Sequence, residues 1–89
     1  MSDVADATLD GNAIAGLLAD VFGEEMTNAT GTCAACGASG EVATFAVFTR
    51  APGTVARCPA CASVLMVLVR IREITCVDLR GLVSLERPR

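Results

Sequence analysis

The sequence holds no histidine, no tryptophan and no tyrosine among its 89 residues, and its seven basic residues are all arginine. Without histidine the commonest general base is missing, which leaves acid–base catalysis at neutral pH without its usual agent. Aromatic rings come from Phe22, Phe45 and Phe48 alone, each at a position where a core is expected. Long hydrophobic runs are missing too. The charge-free, apolar-rich run from Cys58 to Val69 falls short of the roughly 18 residues that a membrane-spanning helix needs. The opening MSDVADATLDG is acidic and has neither the basic nor the apolar region of a signal peptide. These absences point to a soluble cytoplasmic protein. Disulfides are rare in that reducing compartment, and paired cysteines there more often bind metal or do redox chemistry. The cysteine count is five, and an odd number does not complete a disulfide framework.

What is present is apolar. Hydrophobic residues make up 53% of the chain, and its mean hydropathy is +0.55. A chain of this length forms one small domain with a limited core, and such domains often need a metal or a disulfide as a staple. Charge is unevenly spread. Residues 1–41 carry −7 with no arginine, the remainder +4, and the net charge is −3.

Along the chain, residues 1–8 read as a loose tail. In LDGNAIAGLLADVFGEEMT, Asp10 is a good N-cap with Leu9 before it. Ile14, Leu17, Leu18, Val21 and Phe22 recur at helical spacing, and Gly23 is a suitable stop. This predicts an amphipathic helical segment over residues 9–26, regular from 10 to 22. Its other side carries small residues four apart, namely Ala15, Ala19 and Gly23 beside Asn12, Gly16 and Asp20. That pattern fits either alanine-rich composition or a helix–helix contact.

Residues 27–32 read as a turn-rich linker. EVATFAVFTR then reads as a strand, APGT as a turn with Pro52 presetting φ and Gly53 in the left-handed position, and VAR as the return. SVLMVLVRIREI predicts a strand buried on both faces at its start and on one at its end. TCVDLRGLVSLE predicts a second, half-buried strand with Gly81 at a bulge. The expectation is a small α+β fold in one domain, with the tail over 1–8, the helix over 9–26, and a ribbon over 27–89 that ends in a β-hairpin.

Two Cys-x-x-Cys pairs, CAAC and CPAC, bracket the predicted hairpin. A Cys-x-x-Cys turn can aim two sulfurs at one ion, and two such turns supply the four soft ligands that zinc takes about 2.3 Å away. Gly37 eases the first turn and Pro59 stiffens the second. The 21 residues between Cys36 and Cys58 slightly exceed the common spacing of about 15–20, which a longer hairpin accommodates. Free buried cysteines, a redox dithiol and an iron–sulfur site are the other readings of the same residues. The redox dithiol needs a helix N-terminus after the pair, whereas both pairs here abut strands. The reading is one Zn²⁺ on Cys33, Cys36, Cys58 and Cys61. Four thiolates close the shell, so that zinc is expected to be structural and the protein not an enzyme. Glu41 and Asp78 read as solvated strand carboxylates, and Cys76 as a small buried residue outside the cluster.

CAACG and CPAC around a hairpin, with strands after them, resemble a zinc ribbon over residues 33 to about 85. CPACASVLMVLVRIREITCVDLRGLVSLE also resembles the zinc domain of the hydrogenase-maturation nickel chaperone. That family takes nickel through an N-terminal Met-His-Glu, whereas this chain begins MSD and has no histidine. The resemblance therefore implies the zinc ligands Cys33, Cys36, Cys58 and Cys61, and not the nickel role. As a whole the chain is similar to small bacterial zinc-ribbon proteins of uncharacterised function.

The functional expectation is a protein-interaction or adaptor module with a protein partner, or a second copy of the chain, docking on Ile14, Leu17, Leu18, Val21 and Phe22. Nucleic-acid binding through Arg50, Arg57, Arg70, Arg72 and Arg80 is the alternative; the negative net charge and the shortage of stacking rings stand against it. Metal handling or redox sensing is a further alternative.

Overall fold

Leu9 and Asp10 form a strand, not the start of a helix. In the computed structural model, which describes residues 9–50 and 53–87, this short β1 (Leu9–Asp10) pairs antiparallel with Ala46 and Val47. The predicted tail over 1–8, the turn proline Pro52 and residues 88–89 lie outside the described residues. Asp10 does cap: its carboxylate accepts the Asn12 N–H at 3.1 Å, but it caps a 3₁₀ turn over Gly11–Ile14. The α-helix α1 is shorter than expected, Ala15–Phe22. Tertiary packing accounts for the difference. Gly11 lies so close to the loop at Val42 that a Cβ there would sit 1.8 Å from the Val42 carbonyl oxygen. The chain is held there before α1 can start. The predicted stop is correct, with Gly23 at φ 79° and its N–H donating to the Ala19 carbonyl at 2.7 Å.

Seven further strands follow: β2 (Thr30–Cys33), β3 (Ser39–Glu41), β4 (Ala46–Arg50), β5 (Gly53–Arg57), β6 (Val64–Ile71), β7 (Ile74–Asp78) and β8 (Leu82–Glu86). They make two sheets with antiparallel neighbours, a five-stranded one in the order β1-β4-β5-β6-β7 and a three-stranded one in the order β3-β2-β8. The hairpin between the cysteine pairs is β4–β5. Its Gly53 is already a strand residue, paired with Arg50 and Val69, rather than the apex of the turn. The C-terminal hairpin is β6–β7, closed by Arg72 and Glu73 between Ile71 and Ile74.

The segment read as one strand over 75–86 is two. Residues 79–81 turn the chain out of the larger sheet, and β8 crosses to pair with β2. Gly81 is therefore no bulge but the point of closest approach between the turn and β6, where a Cβ would lie 1.9 Å from the Val64 carbonyl oxygen.

The core gathers Ile14 and Leu18 from the helical region, Phe45 and Val47 around β4, and Leu65, Met66 and Leu68 from β6. Leu17, Val21 and Phe22 pack against it. The helix stripe named above as a docking surface is thus turned inward, with Leu18 at 1% exposure. A helix with one apolar stripe covers the face of a sheet that has apolar residues to bury, and here β6 supplies them. The small-residue side keeps Asn12, Gly16 and Asp20 in solvent, where Asp20 meets Arg70 at 3.4 Å.

Candidate metal centre

Each Cys-x-x-Cys pair sits in the same loop, built twice. In the first, the Cys33 N–H donates to the Ala38 carbonyl at 2.9 Å, and Gly37 donates back to the Cys33 carbonyl at 2.9 Å. In the second, the Cys58 N–H donates to the Ser63 carbonyl at 2.9 Å, and Ala62 donates to the Cys58 carbonyl at 2.8 Å. The amides of Ala35 and Ala60 aim at the Cys33 and Cys58 sulfurs at 3.4 and 3.3 Å. The local sequence explains the form. A residue two past the first cysteine can donate to its sulfur only if the chain curls beneath it, and that curl requires a left-handed residue just after the second cysteine. Gly37 takes that place at φ 81° and Ala62 at φ 68°.

Alanine is the poorer choice there, because its Cβ crowds the carbonyl in the left-handed region. Ala62→Gly is expected to stabilise the metal-loaded protein by about 0.5–1 kcal/mol, the relief being partly offset by the freer unfolded chain. Gly37→Ala should destabilise it by a similar amount. An added Cβ at Gly37 meets nothing within 4 Å, so that cost is backbone strain alone. Guanidinium unfolding of both variants measures the two signs.

The tertiary fold brings the loops together. Cys33 ends β2, and Cys58 follows β5 directly. The Arg57 guanidinium donates to the Ala62 carbonyl at 2.9 Å and lies 5.8 Å from the centre of the Phe48 ring, which braces the second loop. The Ala34 N–H donates to the Gly81 carbonyl at 2.9 Å and ties down the first. The four sulfurs then lie within 4.8 Å of one another. Cys33 is 3.7 Å from Cys61, and Cys36 is 3.7 Å from Cys58. These are not disulfides. The edge of a tetrahedron with ligands about 2.3 Å from its centre is about 3.8 Å, so the spacing suits one zinc-sized ion. Both short edges join one loop to the other, so the two pairs form one site. The first cysteine of each loop is buried, at 2% for Cys33 and 3% for Cys58, while Cys36 and Cys61 face solvent.

The electrostatics favour a cation. Hydrogen bonds from the Ser63 hydroxyl and amide draw the Cys61 thiol down to about 6, helped by Cys36 and Cys33. The Ala38 amide also favours ionisation of Cys36. The Cys61, Cys58 and Cys33 sulfurs and desolvation outweigh it and push Cys36 up to about 11. A cluster that ionises once resists a second negative charge, and a divalent ion removes that resistance. The donors are four, soft and tetrahedrally spaced. They could hold one metal ion, and the set suits zinc.

Three residues stand elsewhere than expected. Cys76 is exposed on β7 rather than buried, and it lies outside the cluster. Its position followed from strand alternation, whereas its exposure depends on β7 being the last strand of its sheet, which no local pattern reveals. Asp78 is not an isolated carboxylate, because Arg80 grips both its oxygens at 2.7–3.1 Å. That grip, with the Arg80 amide, holds the Asp78 carboxyl down at about 2. Phe48 is half-buried on the sheet face away from Val47, under Arg57, instead of in the core. Glu41 is exposed, as expected.

Among the described residues no helix is long and apolar enough to cross a membrane. No curated protein and no solved structure matches the chain. The comparisons show no relation to the hydrogenase-maturation chaperone. One family does match, over residues 5–89, and its description is "Family of unknown function (DUF6510)". With nearly its whole length matched, the chain belongs to the DUF6510 family.

Proposed function

We propose that this protein is a non-enzymatic, cytoplasmic zinc ribbon that serves as a protein-interaction module, with one structural Zn²⁺ on Cys33, Cys36, Cys58 and Cys61. The observation that carries the reading is the placement of the apolar side chains the core does not take. Ile71 is 55% and Ile74 68% exposed, both at the tip of the β6–β7 hairpin. With Val69, Arg72 and Cys76 they line a shallow hollow of about 360 Å³ on one face of the sheet. Exposed apolar side chains gathered in one place mark interaction surfaces. The candidate partner surface therefore moves from the helix stripe to this hairpin.

The closed donor set supports a structural zinc. Four thiolates at the tetrahedral corners leave no position for water or substrate, and the chain has no histidine to act as a base. The arginines support a protein partner over nucleic acid. Arg70, Arg80 and Arg87 pair with Asp20, Asp78 and Glu24 at 3.4, 2.7 and 2.9 Å, so much of the positive half is offset locally. A phosphate backbone needs a concentrated basic face.

The test is capture of partners from the native cell by tagged wild-type protein and by the double variant Ile71→Asp, Ile74→Asp. Both residues are exposed, so the variant is expected to keep its zinc and lose a partner that the wild type retains. Equal capture by both proteins would contradict the surface. Retention of RNA or DNA that falls steeply with salt would overturn the reading in favour of nucleic acid.

A further inference from the structure

We propose that a hollow beside the metal centre is a binding site for a small, neutral aromatic molecule that carries an N–H or O–H donor. The hollow shares no lining residue with the one at the β6–β7 hairpin and does not depend on the interaction-module reading.

It has a volume of about 310 Å³ and opens between the β2–β3 pair and the second metal loop. That volume stands at the lower end of small-molecule clefts, about 300–1,000 Å³, and suits a ligand of one or two rings. Buried residues make its bottom, Phe45 and Leu65 with Cys33 and Cys58. Exposed ones make its mouth, Ser39, Thr44, Pro59 and Ala60.

The space exists because one sheet face is bare. Gly31 and Gly40 stand opposite each other on β2 and β3, and cross-strand partners share a face. A Cβ at Gly31 would lie 2.8 Å from the Phe45 ring, so the core itself requires that glycine. Gly40 is different. The one atom that a Cβ there would approach is the Thr44 hydroxyl oxygen, at 3.3 Å. Glycine inside a strand marks a bulge, a close backbone or an approaching ligand. The β2–β3 register is unbroken and no backbone from elsewhere lies within 4 Å, so the ligand is the use that remains.

Charge and hydrogen bonding define that ligand. None of the residues lining the hollow is charged, in a chain where charged residues make up 19%. An ionised group placed there would lose its water without gaining a partner. With a divalent ion bound, four thiolates outweigh its charge behind Cys33 and Cys58, which disfavours anions in particular. The Thr44 hydroxyl donates to the Glu41 carbonyl at 2.6 Å, and its lone pairs are left to accept. That oxygen lies over Gly40, within reach of a donor on the edge of a ring in the hollow.

A free molecule fits better than a peptide side chain. The Cys33 amide bonds to Ala38, which sets the phase of the pair, so Gly40 turns its backbone to β2 and Ser39 and Glu41 turn theirs outward. The Glu41 carbonyl already accepts from Thr44. Among the described residues this leaves Ser39 as the one residue of β3 with both outward groups free, too little to hold an added strand.

The test titrates the isotope-labelled, zinc-loaded full chain with indole and follows the amide resonances by two-dimensional NMR. Saturable shifts are expected at Gly31, Ala38, Gly40, Thr44 and Ala60, with a Kd on the order of 1 mM, as for small fragments. Gly40→Val and Ala60→Leu each put a side chain into the hollow, the second from an exposed position. Both should keep their zinc and lose the shifts. N-methylindole lacks the donor and should bind roughly threefold to tenfold more weakly, whereas Thr44→Val should bind the two probes alike. Benzoate should not bind. Absence of saturable shifts at millimolar indole would overturn the proposal. So would shifts that persist in both Gly40→Val and Ala60→Leu, benzoate binding as well as indole, or shifts gathered instead at Val69, Ile71 and Ile74. Equal binding of indole and N-methylindole to the wild type would overturn the donor requirement.

Discussion

A strong chelator is expected to unfold this protein at neutral pH. The two buried cysteines of the cluster, Cys33 and Cys58, belong to the core, and the loops that carry them are the ends of β2 and β5. Structural zinc contributes about 10–16 kcal/mol in apparent terms, against a total of about 5–15 kcal/mol for a small domain. Removal of the ion should therefore leave no folded population rather than a loosened one. Circular dichroism and thermal melting before and after chelation provide the measurement, with loss of the cooperative transition expected. Cys33→Ser and Cys58→Ser should reproduce that loss in the presence of zinc, and Cys76→Ser should not. A cooperative transition that persists in metal-free protein would contradict the staple.

Acid should act in the same direction as the chelator, and the sign follows from the thiols. The Cys61 thiol lies at about 6, below the ordinary 9.0, so its contribution is present above the ordinary value and is lost as pH falls through about 6. Cys36 moves the opposite way, to about 11, in the metal-free cluster. Its raised value favours the metal-free fold below 9.0 and stops favouring it as pH rises through about 11, so alkaline conditions make the cation more necessary. Competition with a chromophoric chelator between pH 6 and 8 should show zinc affinity rising with pH, since protons and metal compete for the same sulfurs.

Gly81→Ala is expected to be, with Gly11→Ala, among the most damaging conservative changes outside the cysteines. The added Cβ would lie 1.9 Å from the Val64 carbonyl oxygen and 2.6 Å from the Leu65 Cα. Both atoms are backbone, so no side chain can swing aside. The cost should reach about 3 kcal/mol, the upper end for overpacking. Gly81 also accepts the Ala34 amide that ties down the first metal loop, so zinc affinity should fall together with stability. Gly16→Ala is the control. It lies in α1 with nothing within 4 Å of the new Cβ, and it should stabilise by about 0.5–1 kcal/mol. Guanidinium unfolding of the metal-loaded variants is expected to show opposite signs for the same substitution.

Much of the molecule could be read from residues near one another in sequence. The metal loops are local objects, because Cys-x-x-Cys followed by a left-handed residue curls the chain under its own sulfur whatever surrounds it. The β4–β5 hairpin and the strand β6 follow from runs of β-branched and apolar residues, and the end of α1 from Gly23. The grouping of Cys33, Cys36, Cys58 and Cys61 could be anticipated from the paired motifs. The first loop, however, joins β2 to β3 in the smaller sheet, and it is the tertiary fold that carries it to the second.

The rest depends on contacts between distant residues. Gly11 and Gly81 look alike in sequence to any loop glycine, yet each is required because a backbone from elsewhere passes where its Cβ would be. The break at 79–81, which sends β8 to β2, has no local mark beyond that glycine. Burial of Ile14 and Leu18, and exposure of Cys76 and Ile74, were decided by which strands end the sheet and which face α1 covers. Sequence period determined that each segment has an apolar side. The tertiary structure decided which of those sides meets a neighbour and which meets water, because burial is a property of the assembled layers and not of any one segment.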